Sequence, residues 1–262
     1  MTGADPTISA VLITKNEESR IRACLDSLKG WVDDIVVVDD MSEDRTADIA
    51  RDEYGATVIR HPLDEDFAAQ RNRGMAAARS EWVLEMDADE VVPPESARKI
   101  REGLAAAGEC QGFVIRRINC VFDRPLKNPG RCDSLRIVRK NKGQSRGCVH
   151  ETLHVDGPVG RLDAFVYHYN LPSISHFIER NNRYSDSESE EIVSAEGRVS
   201  AAKYKKLIVF KSLRIFYKSY FKNKGRQDGV HGFIRAVLHA VKPVIVWLKV
   251  LERAVKDGKL DP

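Results

Sequence analysis

Apolar runs of strand length alternate with amphipathic stretches of helix length through the first hundred residues. Ile8 to Thr14 is a β-rich apolar run, and Glu17 to Leu28 carries helical periodicity with Asn16 placed as its N-cap. Ile35 to Val38 is continuously apolar and ends in Asp39-Asp40, the pattern of a parallel strand buried on both faces. Ser42 is placed to cap a second helix towards Tyr54, with Gly55 as its stop. Ala56 to Arg60 and Glu81 to Met86 read as strands flanking a helix over Phe67 to Ala78, and Pro93-Pro94 opens a helix ending near Gly108. This repetition predicts an α/β fold with a mostly parallel sheet covered by helices. Short β-rich pieces follow at Phe113 to Arg116, Leu135 to Val138 and Phe165 to Tyr167, and the pattern is helical from Ser173 onward.

In parallel sheets, ligands bind beyond the carboxyl ends of the strands, where Asp39-Asp40 and Asp87-Ala88-Asp89 both fall. In an extended segment residues i and i+2 share a face, so Asp87 and Asp89 can approach one ligand together. A hard divalent cation takes oxygen ligands of this kind. A solvated acidic turn would look the same if the pair stood alone.

Charge changes the picture of the second half. The net charge of +3 divides into 26 Lys/Arg against 35 Asp/Glu over residues 1–197, and 16 against 4 over 198–262. An acidic body with a basic tail points to nucleic acid or an anionic membrane surface as partner of the tail. In KYKKLIVFKSLRIFYKSYFKNKGR (203–226) Lys and Arg interleave with Leu, Ile, Phe and Tyr. A second apolar stretch from Phe233 to Leu251 is broken by Arg235, His239, Lys242, Pro243 and Lys249. Such charges suit an in-plane amphipathic helix better than a bilayer-spanning one. No RNA- or DNA-binding signature accompanies the tail, so no nucleic acid is expected. Five scattered cysteines without a CxxC pair suggest neither a zinc site nor a disulfide framework and favour a reducing compartment. The opening residues lack a basic-then-apolar pattern, so no signal peptide is expected.

The segments SAVLITKNEESRIRACLDSL (9–28), VVVDDMSEDRT (36–46) and AQRNRGMAAARSEWVLEMDADE (69–90) resemble the family 2 glycosyltransferases of the GT-A fold. GCVHETL (147–153), YHYN (167–170), RNNRYS (180–185) and YFKNKGRQDGVHGF (220–233) are similar to their lipopolysaccharide-core glucosyltransferase-like branch. The resemblance implies a UDP-sugar donor, a Mn²⁺ or Mg²⁺ ion held by Asp89 and Asp87, and a lipid-linked saccharide acceptor. It assigns base recognition to Asp39 and Asp40, with Thr14, Asn16 and Glu17 nearby. Gln70, Arg71 and Asn72 sit on the donor side with Ala88, and the planar Arg71 guanidinium suits phosphate oxygens. Glu151 stands where the family places its catalytic base, with His150 orienting it or touching the acceptor. His168 is a candidate third ligand of the metal or diphosphate. Arg136 and Arg139, placed on one face of a strand, are candidates for an anionic acceptor, and Arg180 and Arg183 for closure over the donor.

These expectations divide the chain into a catalytic domain over 1–172 and a helical, membrane-associating region over 173–262. Within the first, 1–110 forms the donor half and 111–172 the acceptor half. The expected location is the cytoplasmic face of the inner membrane. A polyprenyl phosphate or protein acceptor would suit the same chemistry. A nucleotidyltransferase would carry a Gly-rich basic loop after the first strand, which Thr14-Lys15-Asn16-Glu17-Glu18 lacks. A non-catalytic membrane adaptor would have no need of intact Asp87, Asp89 and Glu151.

Overall fold

The computed structural model describes residues 5–64, 66–128, 133–147 and 151–261. Strand β1 (Ile8–Thr14) lies inside the main sheet, and its alternation sorts side chains onto two faces. Ile8, Ala10 and Leu12 turn to one apolar cluster and Val11 to another, all fully buried. Helix α1 (Ile21–Leu28) covers the first face with Ile21, Cys24, Leu25 and Leu28, the i, i+3, i+4, i+7 spacing of a helical stripe. Strand β2 (Asp34–Asp39) runs parallel to β1. Helix α2 (Thr46–Asp48, continued by a π turn over Ile49–Glu53) leads to β3 (Thr57–Arg60), parallel to β2.

Helix α3 (Phe67–Ala77) covers the second face, its first turn capped where the Asp66 carboxylate accepts the Ala69 amide at 2.9 Å. A Cβ on Gly74 would stand 2.4 Å from Val11 Cγ1, so glycine is what lets α3 approach β1 this closely. Strand β4 (Trp82–Asp87) joins β1 in parallel on the side away from β2. The chain continues through β5 (Glu90–Val91), α4 (Pro94–Ala105, proline in its first turn), β6 (Gly112–Val121), β7 (Arg124–Pro125) and β8 (Asp133–Arg139). Strands β9 (Gly143–Arg146) and β10 (Thr152–Val155) pair antiparallel, and β11 (Val159–Leu171) completes the set. The main sheet runs β3-β2-β1-β4-β8-β6-β11-β5, with β7 paired to β6. Its β3-β2-β1-β4 part is parallel, while the β4–β8, β8–β6 and β5–β11 pairs are antiparallel. The α/β fold expected from the sequence, helices flanking a largely parallel sheet and a helical C-terminal extension, is the fold observed.

Two expected helix starts are corrected. Helix α1 begins at Ile21, not near Glu17, and Asn16 is no cap: it sits at φ +54° and its Oδ1 accepts the Glu43 amide at 2.9 Å. Ser42 likewise does not cap α2. Its hydroxyl accepts the Asn16 amide at 2.9 Å, and Asp44 takes the Thr46 amide at 3.0 Å where that helix begins. Both residues tie the β1 and β2 loops to each other, a long-range role that local patterning does not carry. Strands β6 and β11 also outrun the short pieces expected for them, because partner strands stabilise polar positions that alternation alone leaves unassigned.

The chain divides into two compact units, Met1–Ile118 with Arg131–His168, and Asn119–Gly130 with Tyr169–Pro262. In the second, α5 (Ile174–Glu196) starts where the Ser173 hydroxyl accepts the His176 amide at 3.1 Å. Then follow β12 (Val199–Ser200), α6 (Ala201–Lys206, continued by a π turn over Leu207–Lys211), and α7 (Ser212–Tyr217, continued by a π turn over Lys218–Lys222). A short 3-10 turn (Gly225–Asp228), α8 (Gly229–Lys256) and β13 (Leu260–Asp261) close it. Val193, Tyr204, Trp247, Val250 and Ala254 form its core. The expected turn at Asp228-Gly229 is present, and the Asp228 carboxylate accepts the Lys127 amide at 2.6 Å. Gly232 lies in the first turn of α8, where a Cβ would fall 1.8 Å from the Gly225 carbonyl oxygen. Among the described residues no helix is long and apolar enough to cross a membrane.

Candidate active site

Strand β4 delivers five apolar or buried positions and then releases Asp87 at its carboxyl end, in register with Ile13 of β1. Three residues on, the short β5 pairs with β11 so that Glu90 stands opposite His168. This pairing draws a histidine remote in sequence onto the acidic turn: His168 Nε2 lies 3.3 Å from Asp89 Oδ1. One ligand atom each from Asp87, Asp89 and His168 falls within 4.8 Å of the others. Two carboxylate oxygens and an imidazole nitrogen so arranged can share one small divalent ion.

The electrostatics around this turn favour an added cation. Glu85, Asp87, Glu90 and Glu151 surround two guanidiniums. Arg71 Nη2 donates to Asp87 Oδ1 at 2.7 Å and its Nε to Glu151 Oε1 at 3.2 Å, with Glu85 at 4.0 Å. Arg136 holds Glu90 at 2.9 Å and reaches to 3.8 Å from Asp87. With Asp89, five carboxylates face two permanent positive charges. Burial opposes ionisation of Asp87, but Arg71 and Arg136 outweigh it and hold its carboxyl well below the usual range. At Glu90 and Glu85 burial wins, and their carboxyls are pushed up despite Arg136 and Arg71 respectively. Those two therefore hold protons more readily than ordinary carboxylates, while Asp87 stays ionised. Beneath the turn, the buried Cys24 thiol lies 3.7 Å from the Asp87 carbonyl oxygen, and burial first, then Glu90, raises its pKa and keeps it neutral.

Arg71 is the junction of this cluster. It is buried on α3 and joins the acidic turn to Glu151, eighty residues later in sequence. Its Nη1 is buried with no hydrogen-bond partner, as is Gln70 Oε1 beside it. An unmet guanidinium donor beside an acidic metal-type turn suits a phosphate oxygen. Asn72, by contrast, engages both amide atoms with the Ser145 main chain, each at 2.8 Å, and so anchors β9 to α3. The Ser145 hydroxyl in turn donates to Glu85 at 2.8 Å.

Asp39 and Asp40 are differently placed. Asp39 is fully buried, accepting from Thr14 Oγ1 at 3.3 Å and the Ser42 amide at 2.9 Å, with Arg60 at 3.3 Å. Asp40 pairs with Lys15 at 2.8 Å and accepts the Leu63 amide at 2.8 Å. The Glu17 amide donates to Thr46 at 2.8 Å. These contacts brace the loops after β1 and β2.

Other expectations change. Arg136 and Arg139 do not share a face: three residues apart on a strand, they point oppositely. Arg136 joins the acidic cluster, and Arg139 pairs with Glu81 and lies 4.5 Å over the Trp82 ring. Arg180 and Arg183 lie on α5 in the second unit, Arg183 exposed. Ala88 is buried between the two aspartates. His150 lies outside the described residues. The sequence reading passed over Glu85 and Cys24. A charged residue inside the apolar run Trp82-Val83-Leu84-Glu85-Met86 was the available signal for Glu85.

Several known proteins are similar to this chain. An uncharacterized glycosyltransferase of Rickettsia conorii is 26% identical over 266 residues, covering 95% of this chain and 92% of that protein. The lipopolysaccharide core biosynthesis glycosyltransferase LpsC of Rhizobium meliloti is 28% identical over 254 residues, covering 94% and 92%. Among solved structures, glucosyl-3-phosphoglycerate synthase of Mycobacterium tuberculosis, in complex with Mn²⁺, UDP and glucosyl-3-phosphoglycerate, is 26% identical over 45% of each chain, with a TM-score of 0.37. The acidic turn, Arg71 and Glu151 all fall within residues 9–162, which match the model of glycosyl transferase family 2, and this chain belongs to that family.

Proposed function

We propose that this glycosyltransferase moves a hexose from a UDP-sugar to a saccharide on a lipid carrier, with lipopolysaccharide core as the acceptor class, and inverts the anomeric centre. The observation that carries the reading is the convergence of Asp87, Asp89 and His168 within 4.8 Å, with Arg71 joining that turn to Glu151. The near full-length similarity to a lipopolysaccharide core biosynthesis enzyme supports the acceptor class.

Asp89, His168 and Asp87 would hold Mn²⁺ or Mg²⁺. When bound, that ion would neutralise charge on the departing diphosphate. Arg71 offers its unpartnered Nη1 to a diphosphate oxygen. Glu151 takes the proton of the attacking acceptor hydroxyl as the new glycosidic bond forms and the bond to the diphosphate breaks. The hydrogen bond from Arg71 Nε orients the Glu151 carboxylate for that role. His150 is assigned to orient Glu151 or touch the acceptor. Asp39 and Asp40, with Thr14, Asn16 and Glu17, frame the nucleobase end, and Gln70 and Ala88 line the diphosphate end. Asn72 supports that end through Ser145. A lipid-borne acceptor places the reaction at the inner face of the cytoplasmic membrane, where the basic C-terminal region meets anionic headgroups.

A panel of nucleotide sugars tests the donor, read by thermal shift and donor hydrolysis with and without Mn²⁺ or Mg²⁺. UDP-specific, metal-dependent stabilisation that disappears in Asp89→Ala is expected. Stabilisation by no nucleotide would sink the reading.

A further inference from the structure

The helical segment Ala201–Lys222 leaves an apolar stripe facing outward. Phe210, Leu213, Tyr217 and Phe221 follow at spacings of three, four and four residues, and are 70%, 63%, 62% and 46% exposed. The face turned into the second unit carries Tyr204, Leu207 and Ile208 of its apolar core, but also Ser219, which is 5% exposed, and Ser212, whose buried hydroxyl has no partner. Soluble helices bury the apolar stripe and expose the serines. The aromatic layer explains how the segment is held in this attitude. Phe216 and Tyr220 stack at 5.6 Å and both meet Phe233 of α8 edge-on, at 6.0 and 5.8 Å. That leaves Tyr217 and Phe221, 5.3 Å apart, on the outside.

Charge selects the occupant of the outer face. Residues 203–226 contain nine Lys/Arg and no Asp/Glu, and all nine are exposed. Lys203 pairs with Glu196, and Lys211 lies over the Trp247 ring. Arg214, Lys218 and Lys222, which flank the apolar stripe, form no ion pair among the described residues. A ridge of aromatic and aliphatic side chains bordered by uncompensated cations matches the boundary between anionic headgroups and acyl chains. No segment of this helix is apolar enough to span the bilayer, so it would lie in the plane.

We infer that Ala201–Lys222 is an in-plane membrane-seating helix that inserts Phe210, Leu213, Tyr217 and Phe221 among the lipids of an anionic leaflet, with Arg214, Lys218 and Lys222 at headgroup depth. This deepens the proposed function, on whose lipid-borne acceptor it rests, by assigning the membrane contact to one helix face instead of the whole basic tail. Seating by this face would hold the enzyme where a lipid-carried saccharide diffuses in two dimensions.

Co-sedimentation of the full chain with phosphatidylcholine vesicles, with and without phosphatidylglycerol, tests the assignment. The wild type should bind the anionic vesicles and lose them as salt is raised. Phe210→Ser with Leu213→Ser, both at exposed positions, should weaken binding by roughly tenfold or more with the thermal melt unchanged. Lys218→Glu with Lys222→Glu should weaken it comparably. Leu248→Ser, which removes an apolar side chain 52% exposed on α8, should leave it unchanged. Equal binding to neutral and anionic vesicles, or undiminished binding by the Phe210/Leu213 variant, overturns the inference. So does a dimer by light scattering that this variant dissolves in a chain without vesicle affinity, since the face would then join two copies. Donor hydrolysis by the wild type separates the two readings. Hydrolysis without vesicle binding overturns this inference alone, and vesicle binding without hydrolysis of any sugar nucleotide overturns the donor chemistry alone.

Discussion

The acidic turn of the first unit and the basic helix of the second break the same rule in opposite directions. At the turn, Glu85, Glu90, Arg71 and Arg136 are buried, although ionic side chains ordinarily stay in water. On the Ala201–Lys222 helix, Phe210 and Leu213 stay in water, although such side chains are ordinarily buried. Both departures cost folding stability. In the first unit the large apolar core offsets that cost: Trp82, Leu12, Leu84, Met86 and Ile137 are fully buried, each contributing about 1.5–3 kcal/mol. The core of the second unit is smaller, and its departure is one a lipid surface would relieve. In both regions the misplaced polarity is what the proposed ligand would relieve, a cation and diphosphate in one and a membrane in the other.

Asp89→Ala is the strongest attempt to break the comparison at its acidic end. It removes one of the three convergent ligand groups, and metal-dependent transfer should fall by about a thousandfold in initial-rate assays. Loss below tenfold would mean the ion is held elsewhere. Glu151→Gln should lower kcat by about 10²–10⁴-fold while UDP affinity by calorimetry is retained. Lost UDP binding would instead make Glu151 a donor residue acting through Arg71. Trp82→Ala tests whether the apolar core offsets the buried charges, and should cost about 3–5 kcal/mol in urea unfolding. A cost under 1 kcal/mol would place the reserve of stability elsewhere.

The smallest effect concerns pH. Asp87 is held below its unfolded value by Arg71 and Arg136 once their attraction has overcome burial, so its contribution to stability is present above about pH 4 and lost as pH falls through the lower folded value. Glu90 and Glu85 are shifted the other way, chiefly by burial, so their protonation on acidification favours the folded state. Asp87→Asn should flatten the acid limb of the urea midpoint against pH. An unchanged limb would assign acid sensitivity to other carboxylates.

Much of this was legible along the chain because it is periodic. Alternating strand and helix patterns located β1 to β4 and the helices between them to within a few residues. Asp87 and Asp89 stood out through their position after a strand, and the charge division at residue 198 separated the basic tail. What misled the local reading was residues whose partners are distant. Asn16 and Ser42 have the chemistry of caps but serve as ties between two loops, 26 residues apart. Arg136 reads as a candidate for an anionic acceptor, yet its partner Glu90 lies 46 residues earlier. The two arginines of β8 were placed on one face although an interval of three on a strand separates faces.

The sequence by itself determined the α/β class, the acidic turn with its spacing, the family's motifs and the uneven charge, since these depend on neighbours along the chain. Tertiary structure alone decided that His168 reaches Asp89, that Arg71 joins Asp87 to Glu151, and that Phe210 faces outward while Ser219 faces in. Strand pairing and helix packing bring together residues that no periodicity relates. The choice among an arginine's possible carboxylates, or between a helix's two faces, is made by whichever contacts the rest of the fold leaves open.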